Sequence, residues 1–140
     1  MSAFMHNIAY SVRERTCEDR MEHATHPLSV DDHQLVAKAA RRAAGELGLT
    51  LTELGAVVGV SRARFSRPNA RLDGKQMELG LHLVRIARSL SAMTSGDSGN
   101  MQHWLRTKNR DLGECPVEML TSVEGLIRVG QYLDTMRAKI

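Results

Sequence analysis

The stretch LGLTLTELGAVVGVSRARFSR, residues 47–67, decides the fold. Thr50 stands three residues before Glu53, the spacing of a capping box. There a hydroxyl accepts from a free backbone N–H, while the Glu carboxylate accepts from the N–H of the cap residue. The box opens a short helix over residues 51–58, with Leu54 and Val58 facing inward. Gly59 can take the positive φ that ends such a helix, Val60 is the apolar residue of the turn, and Ser61 can cap a second helix. Pro68 ends that second helix, because the residue before a proline is pushed out of helical space. Two short helices about a Gly-centred turn, with the small Gly55 one turn earlier, make a helix-turn-helix. Gly55 lets the second helix cross closely over the first, and Val60 and Phe65 plug the angle between them.

This arrangement leaves Ser61, Arg62, Ala63, Ser66 and Arg67 on or near the outward face of the second helix, with Arg64 expected to point toward a nucleic-acid backbone rather than the bases. The N-terminal part of such a helix is the part that enters the major groove of DNA. Arginine forks onto guanine O6 and N7, and serine bonds a phosphate or a base edge. With Arg71, the segment holds four arginines and no acid, a footprint suited to neutralising phosphates. The DNA-binding candidates are therefore Ser61, Arg62, Ala63, Arg64, Ser66, Arg67 and Arg71. The bland alternative is a helical hairpin with a solvated arginine face. The coincidence of capping box, small residue, Gly turn and arginine cluster favours DNA.

Around this motif the chain reads as all-α. Aromatic residues make up only 4% of it, so the core must come from Leu, Val, Ile, Ala and Met, and few stretches alternate as strands do. Residues 1–28 show no sustained period and read as a leader in which Met21 could be a second start. Leu35, Ala39, Arg42 or Ala43, and Leu47 predict a first helix over residues 30–47, stopped by Gly48. A longer helix over residues 74–93 carries Met77, Leu81, Leu83, Val84, Ile86, Ala87 and Leu90. That apolar sector is wide enough to face both the core and a second surface, which predicts a homodimer through this helix. Residues 94–99, TSGDSG, read as a linker, giving units at 1–28, 29–98 and 99–140.

The last unit predicts three helices. Asn100 caps one that runs through Thr107 and buries Trp104 and Leu105. Pro116 suits the first position of a second, and Thr121 with Glu124 forms a capping box for the third. On the third, Leu126, Val129, Leu133, Met136 and Ile140 make a narrow apolar seam. Trp104, Leu105, Leu120, Val123 and Leu126 read as local core. Gly125 in an early helical turn permits close approach of another chain, and Arg128, Tyr132, Arg137 and Lys139 lie off the seam.

Residues 47–67 resemble the Xre-type helix-turn-helix. Trp104-Leu105 with Thr107 and Asn109, Leu112-Gly113, Cys115-Pro116, Met119-Leu120-Thr121, Glu124-Gly125 and Val129 resemble the toxin-binding domain of the Xre/MbcA/ParS antitoxin family. Gly113-Glu114 replaces the Gly-Gly of that family. The resemblance implies an all-α fold, a helix-turn-helix unit followed by a small toxin-binding unit. It implies an antitoxin of a type II toxin–antitoxin system whose partner is a RES-domain toxin that degrades NAD. The antitoxin would cover the toxin's active-site cleft, and the pair would bind operator DNA to repress its own operon. The toxin-binding candidates are Gly125, Arg128, Tyr132, Arg137, Lys139 and Ile140.

Other classes are disfavoured. The six histidines fall in no metal-ligand spacing, Cys17 and Cys115 make no disulfide framework, and no phosphate loop or nucleophile motif is present. An enzyme, a cofactor and a metal are not expected. No run is apolar enough to span a membrane and no export signal is evident, so a cytoplasmic protein is expected. The competing reading is a stand-alone regulator whose C-terminal unit only dimerises. A further one is a toxin binder whose helix-turn-helix, shortened by Pro68, no longer holds DNA.

Overall fold

A computed structural model describes residues 30–140. The leader and Met21 lie outside the described residues. Among those described there are helices and no strand: α1 (Val30–Glu46), α2 (Leu51–Val58), α3 (Arg62–Ser66), α4 (Lys75–Met93), α5 (Ser98–Arg106), α6 (Pro116–Met119) and α7 (Val123–Ala138). The fold is all-α, a helix-turn-helix unit followed by a C-terminal helical unit, as the sequence predicts.

The central element is α4, which packs on α1 along one side and on α7 along the other. Its wide apolar sector is thus consumed largely within the chain. Met77, Leu83, Ile86, Ala87 and Leu90 are buried, and Leu81 stays half exposed at 50%. One hydrophobic cluster runs from Val36 and Ala40 on α1 through Leu54 and Phe65 to Leu105, Leu126 and Leu133.

The buried face of α1 keeps Ala43 and Leu47 of the predicted set and departs from it at Leu35 and Ala39. Val36, Ala37, Ala40, Ala43, Ala44 and Leu47 are buried, while Leu35 is 64% exposed and Ala39 half-buried. The cause lies on α4. A Cβ at Gly80 would sit 3.5 Å from Ala40 Cβ and 3.1 Å from Leu72 Cδ1, so the two helices meet on small residues. The distance between packed helices follows the side chains at their contact, and a leucine on this face would hold them apart.

Of residues 94–99, read as a linker, 94–97 form a tight turn, and Ser98 and Gly99 already belong to α5. Thr94 closes α4 with both its N–H and its hydroxyl on the Leu90 carbonyl, and the Gly96 N–H reaches the Ser91 carbonyl at 2.8 Å. Ser95 (φ 54°) and Gly96 (φ 76°) reverse the chain in left-handed conformation. Asp97, not Asn100, caps α5. Its carboxylate accepts from the Asn100 N–H at 2.9 Å, the usual chemistry of an acidic N-cap.

The third helix of the last unit also begins one residue later than Thr121 predicts. The Thr121 hydroxyl donates back to the Glu118 carbonyl at 2.9 Å, prolonging the turn after α6. Ser122 is then the extended residue whose hydroxyl accepts from the Gly125 N–H at 3.0 Å. Leu126, Val129 and Leu133 are buried as predicted, but the seam stops there: Met136 is half-buried, and Ile140, beyond the helix, is 89% exposed. Val123 is not core either; it is 62% exposed. Glu114, where the resemblance expects a second glycine, has a negative φ, so a side chain is accommodated there.

Candidate nucleic-acid and partner-binding surfaces

The helix-turn-helix is built by local chemistry. Thr50 and Glu53 close a reciprocal box, with the Thr50 N–H on Glu53 Oε2 at 2.8 Å and the Glu53 N–H on Thr50 Oγ1 at 3.1 Å. The bond from Thr50, and after it Arg106, hold the Glu53 carboxyl below its ordinary pKa of 4.5. Gly59 takes φ 80° and ends α2. A Cβ at Gly55 would lie 2.5 Å from the Val60 carbonyl oxygen, so the turn folds directly over that glycine. Phe65 is 1% exposed and Val60 half-buried, filling the angle between α2 and α3.

On α3 and at its ends, Ser61, Arg62, Ala63, Ser66 and Arg67 are all exposed. Arg62 with Ser66, and Ala63 with Arg67, are four residues apart and share a side of the turn. Ser61 sits at the cap position without a side-chain cap bond, unlike the capping the sequence predicts. Arg67 is extended (φ −80°, ψ 140°), the stop expected before Pro68.

Two of the predicted arginines stand apart. Arg64 is half-buried and bonded to Asp73 at 3.2 Å and to Gln76 at 3.4 Å, which draws it away from the exposed set. Arg71 is half-buried, with its Nε fully enclosed. A cation the sequence reading missed is Arg41 on α1, whose Nη1 donates to the Phe65 carbonyl at 3.2 Å and so braces the last turn of α3. Its contact spans 24 residues and leaves no local pattern to read.

A second surface lies on the outer side of α1 and α4. Exposed Leu35 and Leu81 flank half-buried Ala39 and Val84, around an open cleft of about 630 Å³ bordered by Arg85, Arg88 and Arg137.

The C-terminal candidates divide into four groups. Arg128 is exposed and Tyr132 half-buried, four residues apart on α7. The Tyr132 ring stacks on Trp104 of α5 with centroids 6.2 Å apart, and its hydroxyl donates to Asp111 at 3.1 Å. Trp104 is therefore only half-buried, a shared wall rather than interior core. Arg137 points to the opposite side, donating to the buried Ser89 hydroxyl at 3.2 Å beside the Arg85–Asp134 pair. Lys139 and Ile140 extend past α7 into solvent. Gly125 is corrected outright as an open approach for another chain. It is buried, and a Cβ there would stand 2.1 Å from the Met119 carbonyl oxygen of its own chain.

A helix-turn-helix with an exposed arginine face, joined through a shared central helix to a second helical unit, defines a DNA-binding protein that carries an additional binding module. Comparison with known families agrees on both halves. Residues 26–85 match the antitoxin Xre-like helix-turn-helix domain, and residues 89–139 match the antitoxin Xre/MbcA/ParS C-terminal toxin-binding domain. The chain belongs to the Xre/MbcA/ParS antitoxin family. The first match ends and the second begins inside α4. No curated protein matches the chain. Among the described residues, no helix is long and apolar enough to cross a membrane.

Proposed function

We propose that this antitoxin neutralises a RES-domain toxin that degrades NAD, and that it represses its own operon, acting in the cytoplasm as a homodimer. It acts by binding and performs no chemistry of its own. DNA binding is assigned to residues 29–98 and toxin binding to residues 99–140.

One observation carries the DNA half: Arg62 and Arg67 project from the recognition helix and, among the described residues, make no ion pair, whereas Arg64 beside them does. Arg62 opens that helix and Arg67 follows its last residue, and unpaired arginines in such positions are available to phosphates and base edges. Ser61, Ala63 and Ser66 complete the reading face, and Arg64 and Arg71 shape its edge.

On the toxin half, Arg128 and Tyr132 share one side of α7, Arg137 sits on another side against Ser89, and Lys139 and Ile140 extend past the helix where they can enter a cleft. Arginine and tyrosine are favoured where partners meet. The homodimer is assigned to the Leu35–Leu81 face, since operators read by such proteins carry paired half-sites.

The test is co-expression with the toxin encoded by the adjacent reading frame. Pulling on a tagged toxin should bring down this chain in fixed proportion. A toxin that comes down alone leaves a stand-alone regulator as the reading.

A further inference from the structure

Arg106 lies outside the helix-turn-helix, at the end of α5, yet its guanidinium grips the start of α2. Its Nη2 donates to the Gly48 carbonyl at 2.9 Å and to Glu53 Oε1 and Oε2 at 3.3 and 3.2 Å. Nη1 adds a bond to Glu53 Oε1 at 3.3 Å. Glu53 is the same carboxylate that closes the capping box on Thr50. One turn earlier on α5, Gln102 donates to the Glu46 carbonyl at 3.5 Å and packs on Gly48, where a Cβ would stand 2.7 Å from its side chain.

The hydrophobic cluster spans this junction but leaves part of it open. A cleft of about 320 Å³ lies between α2 and α6, lined by Leu49, Val57, Val117 and Thr121 with Glu53 and Arg106 at its edge. The polar bridge therefore supplies the directional part of the contact between the C-terminal unit and the first helix of the motif. The recognition helix is held by Arg41 on the Phe65 carbonyl and by Arg64 on Asp73 and Gln76, but its apolar seat is α2. The recognition helix spans five residues, lacks a side-chain cap, and rests on α2 through Phe65 and the Gly55–Val60 approach. A tilt at the start of α2 passes directly into α3.

We infer that Arg106 is a positioning residue for DNA recognition: through Glu53 and Gly48 it sets the angle of α2, and with it the recognition helix, without touching DNA. The inference rests on the DNA-binding reading above. It places a determinant of operator affinity inside the toxin-binding unit. The bridge is partly solvated, at 46% and 35% side-chain exposure for Arg106 and Glu53, so its effect is graded rather than absolute.

The experiment is fluorescence anisotropy of the full chain on a labelled DNA fragment from immediately upstream of its own gene, across a salt series. Arg106→Ala should weaken binding about three- to tenfold, as expected for loss of a charge-assisted bridge. Its salt slope should equal that of the unaltered chain, because no phosphate contact is lost. Glu53→Gln keeps a capping-box acceptor while losing the charge, and should weaken binding in the same direction. The double variant should be no worse than Arg106→Ala, the non-additivity expected of partners in one bridge. A salt slope shallower by about one unit would show that Arg106 touches a phosphate and would overturn the inference. So would unchanged affinity in both single variants while Arg62→Ala with Arg67→Ala loses binding. If that arginine pair binds like the unaltered chain, the DNA-binding reading falls and this inference falls with it. Should Arg106→Ala not fold, Glu53→Gln decides alone.

Discussion

The Val60 carbonyl oxygen lies 2.5 Å from the point where a Cβ on Gly55 would stand. In a helix, alanine is ordinarily better than glycine by about 1 kcal/mol. Here that gain is opposed by a clash with backbone, which cannot swing aside as a side chain can. Gly55→Ala should lower stability by about 1–3 kcal/mol, the usual cost of overpacking. Chemical denaturation followed by circular dichroism measures it. A variant as stable as the parent would show that the turn does not fold over Gly55.

Arg62 and Arg67 are exposed, so their side chains add little to the core. Arg62→Ala with Arg67→Ala should abolish operator binding in a gel shift, with stability within about 0.5 kcal/mol of the parent. Retention of the complex would contradict the assignment of α3 as the reading helix. Loss of helicity would instead mean that the arginines serve the fold.

Leu35 and Leu81 are large apolar residues left in solvent on adjacent helices. Leu81→Asp should convert a dimer to a monomer in light scattering at micromolar concentration, because a charge buried without a partner is costly. Leu35→Asp should act alike. A parent chain that is already monomeric, or a charged variant that still dimerises, would place the dimer contact elsewhere.

The parts of the fold legible in the sequence are those fixed by short-range chemistry. Thr50 with Glu53, the left-handed Gly59, the stop before Pro68 and the start at Pro116 each depend on neighbours within a few residues, and all appear as read. The exposure of Ser61, Arg62, Ala63, Ser66 and Arg67 followed from the same local geometry. What escaped depends on distant partners. The buried face of α1 is set by Gly80, and alanines announce a core face only weakly. Arg64 is drawn off by Asp73, nine residues on, and Arg106 reaches Glu53 across 53 residues. Gly125 reads as an open site until the Met119 carbonyl is seen filling it. Residues 94–99 have the composition of a linker because Gly, Ser and Asp also build tight turns and helix caps, and composition does not separate these.

The central claim is that this chain blocks a NAD-degrading partner. The most direct measurement is the NAD content of cells expressing the proposed RES-domain toxin, with and without this antitoxin. With the antitoxin, NAD should stay at the level of cells lacking the toxin. The variant carrying Arg62→Ala and Arg67→Ala should protect equally when supplied from an independent promoter, since neutralisation is assigned to the other unit. If NAD falls to the same level with and without the chain, it does not neutralise that partner and the account is wrong.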